Sequence, residues 1–173
     1  MIGAHIAPGM NRSFTAEQWQ HLIPKKHWYD CIDEAESQIL RDVDMDIQGY
    51  DISRTAIAAA KENAANAEVD HLIHFQQRPV SELHHRKKYG FIITNPPYGQ
   101  RLDTEDEMPE LYREIGQAYE GLDSWSMFLI TAYEQAERYI GKKATKNRKI
   151  YNGMMKTYFY QYLGPKPPRR KPQ

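Results

Sequence analysis

The stretch "FIITNPPYGQRL", from Phe91 to Leu102, joins an apolar strand to a stiff turn. Four apolar or β-branched residues run directly into Asn95, Pro96 and Pro97, and Tyr98 follows. A residue before proline is held extended, while proline fixes its own φ and donates no backbone hydrogen bond. The stretch therefore predicts a buried strand that ends on two acceptors at fixed spacing, the Asn95 side-chain oxygen and the Pro96 carbonyl.

Two adjacent acceptors suit an NH2 group, and the ring of Tyr98 offers a flat face to a planar heterocycle. An aryl amine is a poor nucleophile because its lone pair is delocalised into the ring. Accepting both of its N–H bonds favours the form with a localised lone pair, mainly in the transition state. The turn thus predicts a site for an amine on a flat, conjugated group, with a ligand-free rigid turn as the alternative.

Strands and helices alternate along the rest of the chain, which predicts a parallel, doubly wound α/β sheet of the Rossmann-like kind. The predicted strands are Asp46–Ile52, His71–Gln77, Gly90–Asn95 and Trp125–Ala132, the last expected to be buried on both faces. The predicted helices begin at a Thr15/Gln18 capping box, run from Pro24 to about Arg41, follow Ser53, and span Met108–Leu122 and Glu134–Ile140.

The turn signal Asn152-Gly153 adds an antiparallel hairpin at one edge of this sheet. In doubly wound sheets, ligands lie beyond the carboxyl ends of the strands. Asp51 and Asn95 both follow predicted strands, so we expect them to converge on one crevice.

Composition indicates an ordinary soluble domain at residues 1–163, followed by a basic, proline-rich flexible tail at 164–173. Of the 173 residues, 40% are hydrophobic and 27% charged. Cys31 is the only cysteine, which excludes a disulfide framework and a cysteine-based zinc site and is compatible with a cytoplasmic location. We predict no metal site, and the longest apolar run, Met127 to Ala132, is too short to span a membrane.

Charge is distributed unevenly along the chain although the total is zero. Residues 141–173 contain ten Lys or Arg and no Asp or Glu, whereas residues 1–140 contain 13 basic and 23 acidic residues. A basic end on an acidic body predicts contact with a polyanion, although a solubilising tail has the same composition. Tyr151, Tyr158, Tyr160 and Tyr162 interleave the cations, where they could stack on bases or line the core face of a strand.

Asn-Pro-Pro-Tyr after a hydrophobic strand resembles motif IV of S-adenosylmethionine-dependent amino-methyltransferases, which act on adenine N6, guanine N2 or glutamine N5. Together, five segments resemble the catalytic domain of THUMP-containing large-ribosomal-subunit guanine-N2 methyltransferases. These segments, in chain order, are "IAPGMNRSF", "IQGYDIS", "NPPYGQRL", "DSWSMFLIT" and "GKKATKNRKIYNG". The resemblance covers nearly the whole chain.

The resemblance implies a metal-free transfer of a methyl group to the N2 amine of a guanine in 23S ribosomal RNA. Asn95, Pro96 and Pro97 would hold the amine and Tyr98 would stack on the base. The cofactor would contact Asn95 together with Asp51 and Ile52, where the Asp51 carboxylate meets the ribose hydroxyls. The predicted RNA-binding residues are Lys142, Lys143, Arg148 and Asn152. The guanine would have to be unpaired or flipped out of its stack.

The chain departs from this family at two places. The glycine-rich turn that follows the family's first strand is not found, so we expect a fragment that begins beyond that strand, with the THUMP domain in a longer parent and weak cofactor binding alone. Near the third family strand, the usual acidic residue that contacts the cofactor's adenine is not found, and the candidates to replace it are Ser81, a backbone amide and Glu82. The alternatives are a DNA adenine-N6 or protein glutamine-N5 methyltransferase, or a non-catalytic RNA-binding fragment; the oligomeric state is not indicated.

Overall fold

The computed structural model describes residues 1–97 and 107–168, in which four α-helices and six strands form. The helices are α1 (Lys25–Ser37), α2 (Arg54–Asn66), α3 (Met108–Glu120) and α4 (Ala136–Ile140). The strands are β1 (Ile47–Asp51), β2 (Ile73–Gln77), β3 (Phe91–Thr94), β4 (Ser126–Thr131), β5 (Lys146–Asn152) and β6 (Met155–Tyr162). Across these ranges, no helix is long and apolar enough to cross a bilayer.

The chain divides into two compact units, Met1–Arg78 and Pro79–Gln173. In the first unit, β1 and β2 pair in parallel from Ile47↔Ile73 to Asp51↔Gln77, and α2 connects them. The predicted cap of α2 is confirmed, since the Ser53 hydroxyl accepts a 3.3 Å hydrogen bond from the Ala56 N–H. Small and branched side chains form the core of this unit: Ala4, Ala64, Val69 and Leu72.

The start of the first unit differs locally from the prediction. The turn near Thr15 is a 3₁₀ helix, Thr15–Gln18, and its N-cap is Phe14, whose N–H donates to Glu17 Oε1 at 2.6 Å. The predicted Thr15/Gln18 capping box is therefore wrong by one residue, because Glu17 reaches back where Gln18 was expected to. The helix after Pro24 ends at Ser37 rather than near Arg41, and a 3₁₀ turn precedes β2 where the strand was predicted to begin at His71.

The second unit contains a four-stranded sheet in the order β3-β4-β6-β5. β3 and β4 are parallel, from Phe91↔Ser126 to Thr94↔Leu129, whereas β6 runs antiparallel to both β4 and β5. Gly153 lies in the β5–β6 turn with a φ of 63°, a conformation that glycine adopts without strain. Parallel pairs with a hairpin at one edge confirm the predicted α/β fold of the Rossmann-like kind.

One face of this sheet is covered by α3 and α4. Met127, Leu129 and Tyr162 on that face are all 0% exposed. The buried side of α3 contains Met108, Tyr112, Ile115 and Tyr119, which recur at helical spacing. Gly116 lets the end of α4 approach closely, since a Cβ there would collide with the Ile140 carbonyl.

The opposite face of the sheet, here called the open face, is apolar but only partly covered. Phe91 is 65% exposed and Ile93 84% exposed, and Phe128 and Ile130 on β4 are half-buried. The rings of Phe91 and Phe128 lie 6.2 Å apart, and those of Phe128 and Phe159 6.1 Å apart. Burial of β4 on both faces, predicted from its continuous apolar sequence, is therefore complete on one face only.

Candidate active site

The turn after β3 has an alternating exposure that continues the strand. Asn95 and Pro97 are exposed, whereas Pro96 is buried. Since successive side chains of a strand point to opposite faces, Asn95 lies on the side of Phe91 and Ile93, and Pro96 points toward the covered face. The buried proline ring thus anchors the turn while the Asn95 amide stays accessible. Tyr98 lies outside the described residues.

A buried hydrogen-bond network fixes this turn from the covered face. The Tyr112 hydroxyl, on α3, donates to the Pro97 carbonyl at 3.4 Å and lies 2.5 Å from Thr131 Oγ1 at the end of β4. Thr131 Oγ1 also accepts the Tyr133 N–H at 3.0 Å. Either hydroxyl can be the donor in the bond between Tyr112 and Thr131. Both side chains are 0% exposed, so the network is shielded from water.

Sequence reasoning missed Tyr112 and Thr131. Their partners are 15 to 19 residues apart along the chain, and neither residue belongs to the recognised motif. The sequence did offer one signal for them. Tyr112 and Thr131 carry hydroxyl groups, and their spacing places them on the faces of α3 and β4 that are expected to be buried. Buried hydroxyls require partners, so both could have been marked as members of a network.

Aromatic rings pack on the covered side of the turn. The Tyr112 and Tyr133 rings pack with centroids 5.0 Å apart. Partial burial raises the pKa of the Tyr133 phenol above its ordinary value, and the neighbouring Tyr139 raises it further. The Tyr133 hydroxyl therefore stays protonated near neutral pH. From this side the turn is thus positioned by the Tyr112 hydroxyl and by the aromatic rings packed around it.

Asp51, the predicted cofactor contact, ends β1 in the first unit. Its carboxylate is exposed, and Oδ1 accepts the Ser53 N–H at 2.7 Å, which fixes the orientation of the side chain. The carbonyl of Ile52 accepts a 2.9 Å hydrogen bond from Gln77 Nε2, while the Ile52 side chain is 70% exposed. Asp51 thus offers an oriented, accessible carboxylate at the carboxyl end of a parallel strand. Its predicted convergence with Asn95 stays a prediction.

The predicted RNA-binding residues are spread along β5. Lys142 and Lys143 come just before β5, at the end of the sheet where β4 begins. Asn152 is the last residue of β5 and lies toward the other end of the sheet, where β4 finishes. Lys142, Lys143 and Arg148 are all exposed. The Lys142 ammonium lies 4.8 Å from the centroid of the Tyr119 ring, an attractive cation–π geometry. The structure therefore separates the two lysines from the turn and brings the far end of β5 to the same edge as Asn95.

Arg148 lies in one row with the turn on the open face. It pairs with Phe159, and Phe159 pairs with Ile130. Asn95 follows Thr94, which pairs with Leu129, so Asn95 stands at the level of Ile130. Residues paired across neighbouring strands point to the same face. The Arg148 and Asn95 side chains therefore both lie on the open face. Across the described residues, no group of three or more His, Cys, Asp or Glu side chains is arranged to hold a metal ion.

Comparison with known sequences identifies a family. The profile described as "UPF0020: RMKL-like, methyltransferase domain" matches residues 1–161. The chain is 41% identical over 171 residues to the "Putative RNA methyltransferase YpsC" of Bacillus subtilis, covering 99% of this chain and 44% of that protein. It is 31% identical over 167 residues to a "Ribosomal RNA large subunit methyltransferase K/L" of a Shewanella species, covering 94% of this chain and 23% of that protein. The chain thus spans less than half the length of these relatives.

Solved structures with the same fold point the same way. A "possible methylase" from Clostridium difficile superposes with a TM-score of 0.90 at 47% identity, covering 98% of this chain and 45% of that one. SMU.472, "a putative methyltransferase complexed with SAH", gives 0.89 at 34% identity, covering 97% and 44%. A "predicted N6-adenine-specific DNA methylase" from Listeria monocytogenes gives 0.86 at 43% identity, covering 95% and 42%.

Proposed function

Since the chain belongs to the UPF0020 family of RMKL-like methyltransferase domains, we propose that it methylates the exocyclic N2 amine of a guanine in large-subunit ribosomal RNA. The observation that carries this proposal is the turn after β3, where Asn95 is exposed and Pro96 and Pro97 are held from beneath by buried contacts. The Shewanella relative named for ribosomal RNA supports the choice of substrate. A cytoplasmic location would follow from that substrate.

The roles of the acceptors follow from which atoms the fold already uses. The Tyr112 hydroxyl engages the Pro97 carbonyl, so that carbonyl serves to hold the turn. Asn95 Oδ1 and the Pro96 carbonyl are the acceptors we assign to the two N–H bonds of the amine. By accepting both, they would favour a localised lone pair on nitrogen, ready to take a methyl group from a sulfonium donor as the donor's C–S bond breaks and its thioether leaves; the extra proton would then pass to solvent. Tyr98 is assigned to stack on the guanine.

The methyl donor we assign is S-adenosylmethionine, in keeping with the SAH complex of SMU.472. When bound, it supplies a methyl group on a sulfonium, which makes that carbon electrophilic without a metal. Asp51 fits its ribose because an accessible carboxylate, oriented by the Ser53 N–H, can accept hydrogen bonds from two neighbouring hydroxyls. Ile52 would line the same edge through its exposed side chain.

A second candidate is methylation of adenine N6 in DNA, which the description of the Listeria structure favours. The turn accepts any planar NH2, so its geometry alone does not select guanine over adenine. The basic segment at residues 141–173 suits either polyanion.

The test is methyl transfer from radiolabelled S-adenosylmethionine to unmodified large-subunit ribosomal RNA, to DNA and to a protein release factor. It is run with the chain alone and with the chain joined to the rest of the Bacillus subtilis relative's sequence. We expect label in ribosomal RNA and a loss of label with Asn95→Ala. Label only in DNA would favour the adenine enzyme, only in the release factor the glutamine enzyme, and RNA binding without transfer a non-catalytic fragment.

A further inference from the structure

The β5–β6 hairpin projects beyond the rest of its sheet. The last pair between β4 and β6 is Thr131↔Tyr158, whereas β5 and β6 continue to pair through Ile150↔Thr157 and on to Asn152↔Met155. At about 3.3 Å per residue, three further pairs extend the ribbon by roughly 10 Å. The hairpin therefore forms a two-stranded arm that stands clear of β4.

The arm rises at the edge that holds the candidate active site. β3 and β4 are parallel and both end there, at Thr94 and Thr131. Strands β3 and β6 are separated by β4 alone, so with neighbouring strands about 4.8 Å apart the arm stands roughly 10 Å to one side of the turn. The arm therefore lies beside the turn and leaves room between them for the target base.

The base of the arm is held, so its tip has a defined position. The Lys156 ammonium contacts Glu134 Oε1 at 2.8 Å, and the Tyr158 hydroxyl donates to the same oxygen at 3.2 Å. The Thr157 hydroxyl donates to the Ile150 carbonyl at 2.9 Å across the ribbon. These contacts tie the arm to the segment that follows β4.

The tip exposes large apolar groups among cations. Tyr151 is 68% exposed and Met154 is fully exposed. Just before them on β5, Arg148 is exposed on the open face, which is the face of Asn95, and Lys149 is exposed on the opposite face, which is the face of Tyr151. Exposed apolar side chains beside positive charges match a ligand with flat apolar rings and a negative backbone, which is the chemistry of a nucleic-acid strand.

We propose that Tyr151 and Met154, at the tip of the arm, pack against the nucleotides that flank the target base and hold that base out of its stack, while Arg148, on the face of Asn95, contacts a phosphate. This inference rests on the proposed function, because the turn at Asn95 can reach an exocyclic amine only when the base is extruded. An aromatic ring and an unbranched apolar chain are suited to replace the stacking that the extruded base gives up.

The test uses the full 173-residue chain and a short RNA stem-loop in which 2-aminopurine replaces a loop guanine. Fluorescence anisotropy gives the affinity, and the rise in 2-aminopurine fluorescence reports unstacking. We expect Tyr151→Ala with Met154→Ala to weaken binding by about tenfold or more and to abolish the rise, since one stacked base contributes on the order of that factor. Tyr151→Phe, which keeps the ring, should restore both signals when Met154 is intact.

Tyr29→Ala is the matched control, since Tyr29 is another exposed tyrosine, 59% exposed on α1. It should leave affinity and fluorescence unchanged. Three results would overturn the inference: unstacking that the double variant retains, an equal loss in the Tyr29 variant, or no RNA binding by the unaltered chain. A double variant that changes self-association instead of RNA binding would assign the tip to a protein contact. Neither readout involves methyl transfer, so the proposed function is judged separately.

Discussion

The two faces of the four-stranded sheet differ in what they do for the molecule. On the covered face, Leu129 and Tyr162 are 0% exposed, and the Tyr112–Thr131 network is buried among them. On the open face, Ile93 is 84% exposed and Asn95 follows it into solvent. Both faces are built from the same sheet, and the alternation of side chains along each strand decides which face a residue belongs to.

This difference separates stability from chemistry at the turn. Pro96, on the covered side, is buried and fixes the backbone, whereas Asn95, one residue earlier, presents its amide. A site that must hold an amine in a strict geometry gains from a rigid support that itself takes no part in the reaction. The covered face supplies that support through the buried Pro96 ring and the hydrogen bond from Tyr112 to Pro97.

The largest effect is expected from Asn95→Ala. Removing the amide acceptor should lower methyl transfer by on the order of 10²-fold or more, the scale seen when one preorganised polar partner of a transition state is lost. Because Asn95 is exposed, the thermal midpoint of unfolding should stay the same. The rate is measured with ribosomal RNA and the midpoint by calorimetry. A large fall in the midpoint would place Asn95 among the structural residues and break the comparison.

The next largest effect is expected from truncating two side chains that lie at nearly the same level of the sheet but on opposite faces. Leu129→Ala should lower the free energy of unfolding by about 2–5 kcal/mol, since it leaves a cavity in the core. Ile93→Ala, on the neighbouring strand, should change it by about 0.5 kcal/mol or less. Urea denaturation measures both. Equal losses would show that the open face is buried in solution.

Tyr112→Phe should sharpen the comparison by weakening the support alone. Losing one buried hydroxyl that bonds to Pro97 and Thr131 should lower the free energy of unfolding by about 1–3 kcal/mol. Tyr119→Phe is the matched control. Its hydroxyl, on the same helix, donates to the Trp125 carbonyl at 3.2 Å, near the opposite edge.

The two tyrosine variants should separate in steady-state kinetics. Tyr112→Phe should lower kcat more than it raises KM, because a mobile turn misplaces the amine acceptors. Tyr119→Phe should lose comparable stability with kcat unchanged. A fall in kcat for both variants would mean that Tyr112 acts on the reaction only through overall stability.

Sequence patterns predicted the elements well where the signal is local. Ser53 caps α2 and Asn152-Gly153 turns the hairpin because each depends on a few neighbouring residues. The Phe14/Glu17 cap was missed because Phe14 contributes only its backbone. The Tyr112–Thr131 network and the position of Lys142 at the far edge depend on how strands pair, which no local pattern encodes.

The smallest effect concerns the support of the arm. The hydrogen bond from Lys156 lowers the pKa of the Glu134 carboxyl, and Tyr158 lowers it further. A pKa depressed in the folded state means that this pair stabilises the protein fully above the ordinary carboxyl pKa of about 4.3 and loses its effect as pH falls through the depressed value. Glu134→Gln should therefore lower the thermal midpoint slightly at neutral pH, and the difference should shrink as the pH falls below the ordinary carboxyl pKa. A difference that persists in acid would contradict the ion pair.

The most direct test of the amine-binding turn is the identity of the methylated nucleoside. Unmodified large-subunit ribosomal RNA is treated with S-adenosylmethionine and the chain joined to the rest of its Bacillus subtilis relative, then digested and analysed by mass spectrometry. We predict N2-methylguanosine with the unaltered sequence and none with Asn95→Ala. A methyl group on a ring carbon or a ribose oxygen, or N2-methylguanosine undiminished by Asn95→Ala, would contradict the assignment of this turn to an exocyclic amine.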